Sequence, residues 1–76
     1  MKETQKLKVL KIVNSKHNQK TFDIMRKGLK QFVTDASRCL RYLAEEGLVV
    51  GEYVEGKSYK KWNITQEGKD YLNERH

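Results

Sequence analysis

The chemistry available to this chain is concentrated in its cations. Ser37, Arg38, Arg41 and Tyr42 fall within one short stretch, and Lys57, Lys60 and Lys61 form a second group further on. A guanidinium is a planar fork of donors that binds two acceptors at once, whether two phosphate oxygens or the O6 and N7 edge of a guanine. The other reactive residue types do not assemble into anything. His17 and His76 have no nucleophile or ligand partner in reach, and Cys39, the one cysteine, cannot complete a four-ligand zinc set with two histidines. No Ser/His/Asp or Cys/His pairing, carboxylate pair or Gly-rich phosphate loop is present either. The expectation is therefore no catalytic residue, no metal and no cofactor. A single small core also leaves little for a small-molecule pocket.

The placement of charge agrees with that emphasis. The chain has 76 residues and a formal net charge of +6. Residues 1–33 hold nine Lys/Arg against only Glu3 and Asp23. A basic pole suits a polyanion, because each phosphate neutralised releases condensed counterions. The alternative is that the lysines serve only solubility. Length limits the chain to one domain, 1–76, and seven aromatics argue against disorder. The longest apolar-rich stretch, Leu7 to Val13, is interrupted by Lys8 and Lys11, far short of the roughly 20 apolar residues of a membrane span. Met1-Lys2-Glu3-Thr4 is not a secretory leader, and a lone cysteine suits a reducing compartment, so the expected location is cytoplasmic, in a prokaryote or a virus-infected host cell.

Several elements are legible in the spacing. Leu7, Leu10 and Val13, with Val9 and Ile12 beside them, predict a helix from Glu3 to about Asn14, its polar side formed by Lys6, Lys8 and Lys11. Residues 14–19 read as a polar loop. Thr21 is an N-cap candidate for a short second helix with Asp23 in its first turn and Gly28 as its stop. Thr34 is a second cap candidate, opening a third helix whose Ala36, Cys39, Leu40 and Leu43 make one apolar stripe. Gly47 should end that helix in a left-handed cap, with Leu48 folding back. At ~100° per residue, Thr34, Ser37, Arg38, Arg41, Tyr42 and Glu45 occupy the opposite face. The period then changes: residues 48–54 and 58–64 are rich in β-branched and aromatic residues and flank Glu55-Gly56-Lys57, which predicts a hairpin. Thr65 caps a last helix from Gln66 to about Asn73.

In that order the segments from Thr21 to Val49, ending Leu43-Ala44-Glu45-Glu46-Gly47-Leu48-Val49, resemble the helix–turn–helix of winged-helix transcription regulators. Trp62-Asn63-Ile64-Thr65-Gln66-Glu67-Gly68 through Leu72 is similar to that family's exit from wing to closing helix. The resemblance implies an α+β fold: a winged helix–turn–helix with a three-helix core, a two-stranded β-hairpin wing and a short C-terminal helix. It also implies sequence-specific binding of double-stranded DNA, with the third helix in the major groove and the wing on the flanking backbone. Ser37, Arg38, Arg41 and Tyr42 would then face the groove. Thr21, Lys30 and Thr34 would lie near phosphates, with Lys20 and Lys27 flanking the same side, and Lys57, Lys60 and Lys61 would sit on the wing. A homodimer follows from the few base pairs that one module can reach, with the outer faces of the first and last helices as contact surfaces.

Other readings stand beside it. Arg38 and Arg41 either read bases or pair with Asp35 and Glu45 at helical spacing. The wing lysines contact backbone or protect a sheet edge. Tyr42 contacts a phosphate or covers the rim of the core, and Trp62 and Cys39 read as packing residues. Some winged helices join proteins rather than bind nucleic acid, and Asp35, Glu45 and Glu46 favour that role. A DNA-bending accessory of recombination or replication would share every contact with a regulator. Trp62 resembles the wing tryptophan of modules that bind left-handed DNA, but Ser37 and Arg41 stand where those carry Asn and Tyr, and the chain has no proline.

Overall fold

The computed structural model describes residues 2–29 and 33–75. Apolar spacing of three and four builds α1, Glu3–Ser15, which buries Val9, Leu10 and Val13 completely. The chain then turns through Asn18 in the left-handed region (φ 59) into a two-residue strand, β1, Gln19–Lys20. A single turn of helix follows, α2, Thr21–Ile24, and continues as a π-helical turn over Met25–Leu29. Next come α3, Val33–Glu45, the antiparallel strands β2, Val49–Tyr53, and β3, Lys60–Ile64, and finally α4, Gln66–Arg75. The strands form one sheet in the order β1-β3-β2. This is the winged helix–turn–helix arrangement.

The core lies between the three N-terminal helices and one face of the sheet. Ile24, Ala36, Leu40 and Leu43 join Val9 and Leu10 with no exposed surface, and Leu48, Val49, Trp62 and Leu72 close the rim. Each fully buried Val, Leu or Ile contributes roughly 1.5–3 kcal/mol, and no helix here could bury its stripe alone. Register fixes which strand residues face inward: Val49 opposes Ile64, Gly51 opposes Trp62, and Tyr53 opposes Lys60. The two-residue period therefore puts Lys61, paired with Lys20 on one side and Glu52 on the other, on the outer face.

Two helix ends behave as their residues dictate. Gly47 takes φ 79, and the amides of Gly47 and Leu48 donate to the carbonyls of Ala44 and Leu43. That is the paired C-terminal closure in which glycine avoids the Cβ penalty. The Thr65 hydroxyl accepts the Gly68 amide at 3.0 Å and donates to the Gly47 carbonyl at 2.7 Å. One side chain thus caps α4 and ties it to the end of α3. Gly68 sits against the same seam: a Cβ there would lie 2.1 Å from the Leu48 carbonyl oxygen, so only glycine lets α4 approach.

Several sequence expectations need correction. Thr21 is not the cap of α2; Lys20 holds that position in an extended conformation with no side-chain cap. Gly28 does not stop the second helix, because the π-helical turn runs through it to Leu29. The two-stranded hairpin forms as expected, and Gln19 and Lys20 add a third strand to its sheet by pairing with Trp62 and Lys61. The hairpin strands are also shorter than residues 48–54 and 58–64, giving a longer loop through Gly56 (φ 76). Lys30 lies outside the described residues. α3 begins at Val33, so Thr34 is inside the helix rather than before it, and its side chain is likewise outside the description.

Lys6 is the other departure. It is buried rather than part of the polar face of α1, with its ammonium 2.8 Å from the Glu46 carboxylate and near the rings of Tyr42 and Tyr71. Tyr71 in turn donates its hydroxyl to Glu3. The hydrogen bond that Lys6 donates to Glu46 raises the Lys6 pKa against the opposing effect of burial, and the bond to Glu3 raises that of Tyr71. Both groups therefore hold their protons more tightly folded than unfolded. Their stabilisation is complete below about pH 10 and is lost as pH rises through the folded values.

Two stability measurements check these contacts. Gly68→Ala should lower the unfolding free energy in urea by about 1–3 kcal/mol or more, because the neighbour is backbone and cannot yield. Gly56→Ala, with open space around it, should lose less. For Lys6, the difference in stability between wild type and Glu46→Gln should be constant from neutral pH to about pH 9.5 and shrink above pH 10.5. A difference that grows with pH would contradict the assigned directions.

Candidate nucleic-acid interface

Between α3, the start of α2 and the inner face of the wing runs a cleft of about 400 Å³. Ser37 and Arg41 of α3 form one wall. Tyr53, Ser58, Tyr59, Lys60 and Trp62 form the wing side, and Lys20, Thr21 and Phe22 close the third side. Its existence follows from the packing below: Ala36, Leu40 and Leu43 point into the core, so residues offset on the helix must point outward.

The joint of this cleft is Trp62. The ring lies over Gly51, where any Cβ would come within 2.6–2.8 Å of it. Its indole N–H donates to the Thr21 hydroxyl at 2.9 Å. A buried indole must find such a partner, and this one locks the wing to the first turn of α2. Thr21 therefore holds the cleft's shape, while its own hydroxyl proton has no acceptor among the described side chains.

Cations and aromatics alternate around the opening. The Lys60 ammonium sits 4.9 Å from the centroid of Tyr53 and 5.5 Å from that of Trp62. Lys20 sits 4.4 Å from the ring of Tyr59. Such contacts orient a long cation without neutralising it. Neither Arg38 nor Arg41 belongs to an ion pair among the described side chains, and Glu45, close by on α3, takes none of their charge. The arrangement can bind anions along a groove and stack flat groups at its edge.

The residues expected from sequence separate here. Thr21, Ser37, Arg41 and Lys60 come together in the cleft, while Arg38 is exposed on the same helix next to it. Lys57 is exposed at the wing tip. Lys61 is not brought in, because it belongs to the outer strand face. Tyr42 stands on the other flank of α3, beside Lys6, and is 40% exposed there. Lys27 turns away from the cleft to donate to Gln19. Reading from sequence passed over Phe22, Tyr53, Ser58 and Tyr59. The signal for Tyr53 was present: a tyrosine at the inward register of a strand, beyond the reach of the core, must emerge at its edge, and it is 71% exposed.

Solved structures share this fold. That of FabT from Streptococcus pneumoniae in complex with DNA superposes with a TM-score of 0.82 over 91% of this chain at 10% identity, covering 48% of that protein. A possible HxlR family transcriptional factor from Thermoplasma volcanium gives 0.74 over 96% at 22% identity, covering 64% of its chain. PadR from Bacillus subtilis in complex with operator DNA gives 0.73 over 97% at 24% identity, covering 49%. The chain thus spans about half to two thirds of their lengths. No protein-family model matches the sequence, and no curated protein does. Among the described residues, no helix is long and apolar enough to cross a membrane, and no cluster of three or more His, Cys, Asp or Glu residues stands ready for a metal.

The Trp62–Thr21 bond can be tested alone. Thr21→Val leaves a buried indole donor without its acceptor, which costs about 1–3 kcal/mol. The expected outcome is a lower melting temperature with an upfield move of the Trp62 indole proton. An unchanged resonance would place that bond elsewhere.

Proposed function

We propose that this chain is a sequence-specific binder of double-stranded DNA that regulates transcription by occupying its site. The observation that carries the reading is the cleft in which Ser37 and Arg41 of α3 face Lys60 of the wing, with the arginine outside any ion pair among the described side chains. In the proposed complex α3 enters the major groove. Arg41 and Arg38 reach base edges, each two-bonded guanine contact contributing about 1–3 kcal/mol of discrimination. Lys20, Lys57 and Lys60 neutralise phosphates along the flanking strand, a contribution independent of sequence and sensitive to salt. The two relatives in fold that were solved with DNA support this reading, as does the net charge of +6.

A second copy belongs to the proposal, since paired half-sites about one helical turn apart multiply specificity. The outer faces of α1 and α4 carry polar and charged side chains and none of the exposed large apolar ones among the described residues. A dimer through them would rest on polar pairing. One support of the protein-docking alternative is weakened, because the exposed Glu46 carboxylate already pairs with Lys6. No catalysis, cofactor or small-molecule effector forms part of this reading, and its setting is the cytoplasm.

Salt-titrated binding to random duplex pools tests it. Arg38→Ala with Arg41→Ala should erase sequence preference while leaving the thermal melt in place. Lys57→Ala with Lys60→Ala should weaken all duplexes alike and lower the salt slope by about 1–2. Equal sequence preference in wild type and the arginine variant would overturn the groove-reading role.

A further inference from the structure

A second cleft, of about 440 Å³, opens where the end of α1, the turn into β1 and α2 meet. It is lined by Lys16, Asn18, Gln19, Asp23, Arg26 and Lys27. We propose that this cleft is an anion site for phosphate-bearing groups, separate from the cleft under the wing.

Its floor is built rather than incidental. Gln19 is only 3% exposed, and its amide N–H groups reach the carbonyls of Ile12 at 2.6 Å and Lys16 at 2.9 Å, closing the end of α1. The remaining oxygen of that amide accepts the Lys27 ammonium at 2.9 Å. One of three ammonium donors is thereby used to fix the group at the cleft, and two remain for a ligand. Asn18 holds its left-handed backbone through a reciprocal pair with Asn63, at 2.9 and 3.0 Å. Asp23, Arg26 and Lys27 stand three and four positions apart along α2 and its π-helical continuation, so they share a face. Lys16 approaches from the opposite rim.

Lys16, Arg26 and Lys27 thus border one concave space with a single carboxylate, the Arg26 guanidinium standing 5.6 Å from the Phe22 ring at its edge, and none of the four is in an ion pair among the described residues. The lining has hydrogen-bond donors and no aromatic side chain, which suits a compact polyanion better than a flat base. The same chemistry has two sources: a backbone phosphate of DNA extending past the wing, or a free phosphorylated small molecule. Asp23 opposes either, which gives the site a sign test.

The experiment is a titration of the full chain with sodium tripolyphosphate, followed by backbone amide resonances, alongside salt-dependent duplex binding. Saturable shifts are expected across residues 16–27. Affinity for tripolyphosphate should fall by about fivefold or more in Lys16→Gln with Arg26→Gln, and rise in Asp23→Asn. If the double variant also lowers duplex affinity and salt slope, the source is DNA backbone. Loss of tripolyphosphate binding with duplex binding unchanged assigns the site to a free anion. Absence of saturable shifts, or equal tripolyphosphate affinity in wild type and both variants, overturns the site. The tripolyphosphate arm does not involve α3, so its failure is distinct from failure of the groove-reading role.

Discussion

One indole holds the working parts of this molecule in register. Trp62 packs on Gly51, donates to Thr21 and pairs across the sheet with Gln19, so strand, wing and second helix are joined at a single side chain. A two-stranded flap on its own is marginal in water, and its angle to α3 would wander. The third strand and the indole bond remove that freedom. The space between α3 and the wing then has a fixed width, and the cations along it are presented rather than merely exposed.

Charge is sorted by burial. Lys6 is taken into the fold, paired with the exposed carboxylate of Glu46 and set beside two tyrosine rings, where it joins α1, α3 and α4. Lys27 is fixed by a buried amide. Arg38, Arg41 and Lys57 stay in solvent with no ion-pair partner among the described side chains. A long-range field alone would make the basic end sticky toward any polyanion. In the proposed complex, the fixed positions of Arg41 and Lys60 in one cleft convert attraction into a shaped interface.

Much of this was legible in the residues. The apolar stripe of α3 and the Gly47 closure are local patterns that complete themselves within one turn, as is the Thr65 cap. What escaped depended on partners far along the chain. Residues 19–20 are too few to show a strand period, and they become one only because Trp62 and Lys61 offer an edge. Thr21 has the composition of a cap, but β1 delivers the backbone one residue early and Trp62 claims the hydroxyl. Lys6 sits on what spacing marks as the polar side of a helix, and only the arrival of Glu46 and Tyr71 makes its burial tolerable. Around the cleft, the outward placement of Ser37, Arg38 and Arg41 followed from helical phase, whereas the place of Tyr53 and the exclusion of Lys61 followed from strand register, which composition does not reveal.

The most direct measurement is amide and side-chain resonance mapping of the chain on titration with a duplex enriched from a random pool. The expected perturbations are on Ser37, Arg38 and Arg41, on Tyr53 to Lys60 around the wing, and on Lys20, with the Lys6–Tyr71 face unmoved. Perturbation confined to α1 and α4, with the α3 arginines and the wing unaffected, would contradict the cleft as the place where nucleic acid is held.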